Sequence, residues 1–313
     1  MSPLRKKVEI AKFLDPTVVS RLGNMELKAR LIVEGYIAGM HRSPYHGFSV
    51  EFAEYRQYMQ GDNIKDFDWK AYGKTDRFYI KVYEEETNLR ATILLDKSGS
   101  MGFSSAGGPA GRGGEQGLDK LTYGSLLSAS LSYLMVRQQD AVGLCLFDDK
   151  VRTLIPHRSV RKHLFYLLSN LDRITPGEKT RISPVLHDIA ERVKRRGLVI
   201  LISDLMDDPD EVLMGLKHFR HRNHEVIVFH VLDRREVDLA YRDEVEFQDL
   251  ETHKKLRVEP AFIKEHYAKQ VSEWVDKMNR GCRAHQIDYN LLLTDTPFDQ
   301  ALTAYLGKRQ RMV

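Results

Sequence analysis

Six short apolar runs recur along the last two thirds of the chain, and each stops abruptly at polar residues. They are Thr92–Leu95, Val142–Phe147, Val151–Ile155, Leu198–Ser203, Val226–Leu232 and Ile287–Leu293. Short apolar runs bounded by turn residues read as strands buried on both faces of a sheet. Between them the apolar period lengthens to that of a helix. Leu127, Leu131, Leu134 and Met135 share one face of Leu121–Gln139, and Gly124 and Ser128 allow close approach. Further helices are expected over Arg161–Leu171, Ile182–Val193, Pro209–Arg222, Ala261–Asn279 and Phe298–Leu306, with Pro209 suited to a first turn. Phe247–Val258 reads as a short hairpin. Only Asp148, Asp149 and Lys150 separate the second and third runs, a link so short that those two strands must be antiparallel. Otherwise the alternation predicts a doubly wound α/β fold, with a mostly parallel six-stranded sheet and right-handed crossovers.

The first third is patterned differently. Helical spacing links Leu22, Leu27 and Leu31, after which Gly35, Gly39 and Gly47 read as turn punctuation. Glu51–Glu86 interleaves charges with aromatics such as Tyr55, Tyr58, Phe67, Trp69 and Tyr72. Such a mixture can stack on nucleic acid. A small region packed with Tyr and Trp, their polar ends on partners, accounts for the same residues and is preferred. Arg56 and Asp62 form a candidate ion pair there, and Phe78, Ile80 and Val82 alternate with polar neighbours as a half-buried strand. The expected organisation is an amino-terminal region, 1–86, followed by an α/β domain, 87–313. The domain carries a glycine-rich insertion, 104–117, without the Gly-Lys-Ser/Thr end of a phosphate loop or the spacing of a dinucleotide fingerprint. It reads as a flexible connection.

Composition narrows the class. A chain of 313 residues, 42% hydrophobic and 29% charged, is ordinary for a globular protein. Two cysteines, Cys145 and Cys282, cannot build a disulfide framework and read as unreactive thiols in a reducing compartment. A net charge of +4 is no argument for nucleic acid. No apolar segment follows the basic start, and no run approaches the roughly 18 residues of a membrane span. The expectation is a cytoplasmic protein without a membrane span.

The candidate chemistry lies where the first run ends. In ATILLDKSGSM, Asp96 is followed by Ser98 and Ser100 at alternate positions. In open α/β sheets the loop at a strand's carboxyl end is where ligands sit. One carboxylate and two hydroxyls on a tight turn suit a hard cation such as Mg²⁺. Alternatively Asp96 caps the next helix and the serines satisfy turn amides. In the Rossmann-like strand order 3-2-1-4-5-6 the first and fourth runs are neighbours, so Asp96 and Asp204 lie side by side. Two adjacent carboxylates repel unless a cation lies between them or one is protonated.

These residues carry a resemblance. Asp96-x-Ser98-x-Ser100 resembles the first loop of the metal-ion-dependent adhesion site of von Willebrand factor A domains. That family adds a threonine from a second loop and an aspartate from a third, which implies Asp204 for the third and Thr180, in TPGEKTRISPVL, for the second. Glu178, Lys179 and Arg181 around Thr180 depart from the family pattern, and Thr175 is the alternative. The upstream block HRSPYHGFSVEFAEYRQYMQGDNIKDFDWKAYGKTDRFYIKVYEEE resembles the fingerprint of bacterial domain-of-unknown-function family fifty-eight, where it precedes a von Willebrand-like domain. That resemblance implies a MoxR-type AAA+ ATPase as partner.

The implied function is metal-dependent protein–protein interaction. Mg²⁺, with Mn²⁺ or Ca²⁺ as alternatives, would be held by Asp96, Ser98, Ser100, Thr180 and Asp204. An acidic residue of a partner protein would take the remaining coordination position. The alternative is a Mg²⁺-dependent phosphoryl-transfer hydrolase with Asp96 as nucleophile. Such enzymes want a second carboxylate two residues on, and Ser98 stands there. The twelve histidines show no metal-ligand spacing, and His221 and His224 are expected to face solvent. No catalytic residue is assigned, and the expectation is that the chain is not an enzyme.

Overall fold

The structure is a computed structural model that describes residues 15–20, 23–40, 55–57, 72–73, 79–81, 89–105, 118–177, 181–241, 243–248 and 255–312. The chain divides into two compact units, Met40–Asn88 and the remainder. In the first, β1 (Tyr55–Gln57) and β2 (Tyr79–Lys81) pair antiparallel. Asp62 and Trp69, with most of the expected aromatic cluster, lie outside the described residues.

The larger unit is built on six strands: β3 (Arg90–Asp96), β4 (Ala141–Phe147), β5 (Val151–Arg158), β6 (Leu198–Ser203), β7 (Glu225–Leu232) and β10 (Asp288–Leu293). Their order is β5-β4-β3-β6-β7-β10, the doubly wound order expected from the sequence. All neighbours are parallel except β4 and β5. The central strands are buried along nearly their whole length, which is why their sequences read as unbroken apolar runs. A hairpin of β8 (Val245–Gln248) and β9 (Lys255–Val258) stands apart from this sheet.

Helices cover both faces. Before the sheet come α1 (Pro16–Ser20) and α2 (Met25–Met40). Gly35 and Gly39 lie inside α2 rather than in a turn region as expected. Burial of Ala29, Ile32, Val33 and Tyr36 accounts for this, since tertiary contacts outweigh the helix cost of glycine. Then follow α3 (Lys120–Arg137), α4 (Arg161–Asp172), α5 (Ile182–Arg192), α6 (Pro209–His221), α7 (Arg234–Asp238), α8 (Pro260–Ala284) and α9 (Phe298–Gln310). On one face Leu94, Cys145, Val199, Leu201, Val226 and Val228, at alternating positions, pack with Leu186, Ile189, Leu216 and Phe219 from α5 and α6. Helix α3 is buried almost all round. There a Cβ on Gly124 would stand 2.9 Å from Leu95, so the glycine permits the close approach of helix and sheet.

Both cysteines are buried, and burial pushes each thiol up to about 12. His224 is buried, not solvent-facing: its Nε2 donates to the Val193 carbonyl (3.1 Å), and its ring meets Phe219 edge-on. His221 is exposed. No helix among the described residues is long and apolar enough to cross a membrane.

Candidate functional site

The carboxyl ends of β3 and β6 lie side by side, with Leu95 in register against Ile202. Each strand runs into a tight polar loop. Asp96, the last residue of β3, is completely buried. Its Oδ1 accepts from the Ser98 amide (2.8 Å), and its Oδ2 accepts from the Ser203 hydroxyl (2.7 Å). The chain then enters a single 3-10 turn, Gly99–Gly102, which brings the Ser98 and Ser100 hydroxyls to 3.0 Å. Asp96 therefore fastens its own loop, while the cap of α3 is Asp119, accepting from the Thr122 amide at 2.7 Å.

After β6, Asp204 is 1% exposed, and Leu205 takes a positive φ of 52°. Side chains other than glycine rarely adopt that conformation, and it is found where surroundings enforce it. The enforcing contacts are present. The Leu205 amide donates to Ser203 Oγ (3.0 Å), and His230 Nε2 donates to the Asp204 carbonyl (2.9 Å). The other nitrogen of His230 accepts from the Tyr289 hydroxyl (2.5 Å). Burial lowers His230 to about 4, so the ring is neutral and serves as a fixed post behind the loop.

The two carboxylates interact. Burial, and after it the charge of Asp204, push Asp96 up to about 7. A dry pocket with two acids needs a cation. One is built in. Lys120, the first residue of α3, is fully buried, and its Nζ lies 2.7 Å from both Asp204 Oδ2 and Glu236 Oε1. Burial alone would push Lys120 down, but the charges of Asp204 and Glu236 more than offset it and hold the ammonium above its ordinary value. Glu236 belongs to a capping box, with Asp233 closing α7 and Glu236 reaching back to the Asp233 amide at 2.8 Å. Asp233 also accepts from the amide and hydroxyl of Ser105 (3.1 and 3.0 Å), at the root of the glycine-rich insertion. Residues 106–117 of that insertion lie outside the described residues.

The loop before α5 leans on this site. The Gly177 amide donates to the Lys97 carbonyl (2.5 Å), and Pro176 sits against Gly102. Thr175 in that loop is exposed, whereas Thr180 lies outside the described residues. A Cβ on Gly177 would fall 2.4 Å from Asp148 Oδ2. Gly177→Ala is therefore expected to displace the loop and cost about 1–3 kcal/mol. Urea unfolding measures this, and an unchanged midpoint would mean that the loop shifts freely.

The structure thus gathers Asp96, Ser98, Ser100 and Asp204 at the carboxyl ends of two adjacent central strands. Their oxygens fit a hard cation, because the set is hydroxyl and carboxylate without soft donors. Among the described residues no group of three or more His, Cys, Asp and Glu side chains is placed to hold a metal ion. Sequence reasoning missed Lys120, Glu236, Ser203 and His230. One signal was available: a lysine in the first turn of a helix opposes the macrodipole and calls for anionic partners. Beside the site, Met206, Leu232, Glu236, Tyr267, Val271 and Trp274 help to line a cavity of about 450 Å³.

Sheet order, antiparallel edge and strand-end loops make this a doubly wound α/β domain. The chain belongs to the family described as "Protein of unknown function DUF58", which matches residues 54–275. It is similar to uncharacterized proteins of Mycobacterium tuberculosis and Mycobacterium bovis. Each is 23% identical over 305 residues, covering 95% of this chain and 91% of the relative. Among solved structures it is similar to conserved hypothetical protein BatB from Bacteroides thetaiotaomicron (15% identity, TM-score 0.46). It is also similar to an aerotolerance-related membrane protein from Bacteroides fragilis (16% identity, TM-score 0.47). Each alignment covers 71% of this chain and 99% of the other.

Proposed function

We propose that this chain is a metal-dependent protein–protein interaction module, acting in the cytoplasm as adaptor or co-chaperone to an AAA+ ATPase of MoxR type. One observation carries the reading: Asp96, Ser98, Ser100 and Asp204 converge at the ends of adjacent strands, and Asp96 is left with a strained charge. Asp96, Ser98 and Ser100 would hold Mg²⁺, with Asp204 beside them and Thr180 or Thr175 supplying the second loop's oxygen. Mg²⁺ would supply a concentrated positive charge with a coordination position open to a partner's carboxylate. The chain's own residues fix the loops, keep the site dry and withhold a full complement of protein ligands. Catalysis is less well supported, because Ser98 stands where a phosphoryl-transfer enzyme needs an acid. The ATPase comes from the family resemblance.

The test is complex formation with a MoxR-type ATPase from the same organism, in Mg²⁺ and in excess chelator. Binding is expected in Mg²⁺, with a loss of at least about tenfold, or 1.4 kcal/mol, in chelator and in Ser100→Ala. Equal affinity with and without the metal would overturn metal-bridged recognition.

A further inference from the structure

We propose that Lys120 sets the metal affinity of this site, as an internal ammonium that holds Asp204 back from a bound cation. The inference rests on the metal reading above and concerns how strongly that metal is held. Two carboxylates, Asp204 and Glu236, meet one ammonium in a nearly dry space, where Lys120 is 0% and Asp204 1% exposed, and the charge of Asp204 also acts on Asp96. Asp204 gives its Oδ2 to Lys120, while its Oδ1 accepts at 3.4 Å from the Met206 amide. The ammonium has little freedom to leave. Its backbone amide is tied to the Phe103 carbonyl (3.2 Å), Asp119 caps its helix, and Glu236 holds it from the other side.

A fixed positive charge on Asp204 does two things to an incoming divalent ion. It cancels part of the attraction that Asp204 would offer, and it repels the ion directly through a medium of low dielectric. The ion then depends on Asp96, Ser98 and Ser100, which form one loop and carry one carboxylate. Such a site binds weakly and stays receptive to an external carboxylate that makes up the missing charge. Lys120 therefore shifts the balance from metal storage towards bridging, in which the partner completes the donor set.

The experiment is calorimetric titration of chelator-treated protein with Mg²⁺ alone. It compares wild type, Lys120→Met, Glu236→Gln and the double variant Lys120→Met/Glu236→Gln. The double variant removes one charge of each sign and keeps the region foldable if Lys120→Met alone does not fold. Thermal unfolding with and without Mg²⁺ gives a second readout. Mg²⁺ is expected to bind the Lys120→Met forms at least about tenfold more tightly than wild type, and to raise their melting temperature more. Glu236→Gln alone should bind no tighter than wild type, because Lys120 then rests wholly on Asp204. Equal affinity in wild type and double variant overturns the role of Lys120 and leaves the metal reading standing. Tightening in Glu236→Gln as large as in the double variant also overturns it, since the effect would then belong to Glu236. Binding by the double variant but not by wild type supports Lys120 and overturns the metal reading for the natural protein. Binding by none of the four overturns both.

Discussion

Lys120→Met should lower the unfolding free energy of the metal-free protein by about 3–5 kcal/mol, because it leaves buried carboxylates without their cation. The methionine fills nearly the same volume, so the loss is electrostatic rather than a cavity. The lysine places its one positive charge 2.7 Å from both Asp204 and Glu236, in surroundings almost closed to water. Without it two carboxylates, with Asp96 nearby, remain buried and uncompensated. They must be protonated or drag water inwards. Glu236→Gln should cost less, because its side chain is 15% exposed and Lys120 keeps Asp204. Urea unfolding at neutral pH in chelator checks both variants. An unchanged m-value with a lowered midpoint would assign the loss to stability, not to a change in the unfolded state. A loss below about 1 kcal/mol for Lys120→Met would mean that the triad is open to water and only weakly coupled.

Much of this fold was legible in the sequence, for a physical reason. Strands buried on both faces need apolar residues at every position, and the crossover helices keep the 3.6 period. Turn chemistry then marks where each strand stops. Asp96 and Asp204 stood out because each breaks an apolar run at its carboxyl end, and sheet order brought them together. Residues whose role depends on a distant partner were less visible. Lys120 lies one position before the apolar pattern of α3 begins, so periodicity alone gives it no role. Its partners are 84 and 116 residues further on. His224 looked like a surface residue because polar neighbours surround it in sequence. In the fold it plugs the gap between β7 and the end of α5, and its Nε2 satisfies the Val193 carbonyl. Ser203 reads as the last residue of a strand, yet its hydroxyl donates to Asp96 and accepts from the Leu205 amide, which links the Asp96 loop to the turn after β6. The second loop's threonine was the weakest reading from sequence, because charged residues replace the expected glycines around Thr180.

Asp96→Asn should stabilise the metal-free protein above neutral pH and abolish its response to Mg²⁺. Asp96 is ordinary at 3.8 in an unfolded chain and is raised to about 7 in the fold, first by burial and then by the charge of Asp204. The direction of the pH effect follows from proton binding. Between these two values the native protein holds a proton that the unfolded chain has lost. Stability therefore falls as pH rises through that window, and the loss is complete above about pH 7. A shift of this size corresponds to on the order of 4 kcal/mol, at about 1.36 kcal/mol per unit. Asparagine keeps the geometry: its carbonyl can accept from the Ser98 amide, and its amide can donate to Ser203 Oγ, which now donates to the carboxylate. The variant and wild type should be nearly equal in stability near pH 4 and diverge by a few kcal/mol at pH 8 in chelator. Other buried acids, Asp140 and Glu236 among them, are also raised by burial, but they are common to both proteins and cancel in the difference. Saturating Mg²⁺ should close the gap at pH 8, because an ion on Asp96 relieves in the wild type what the substitution removes. Parallel stability profiles from pH 4 to pH 8 would show that Asp96 ionises without cost, and the case for a cation at these strand ends would go with it.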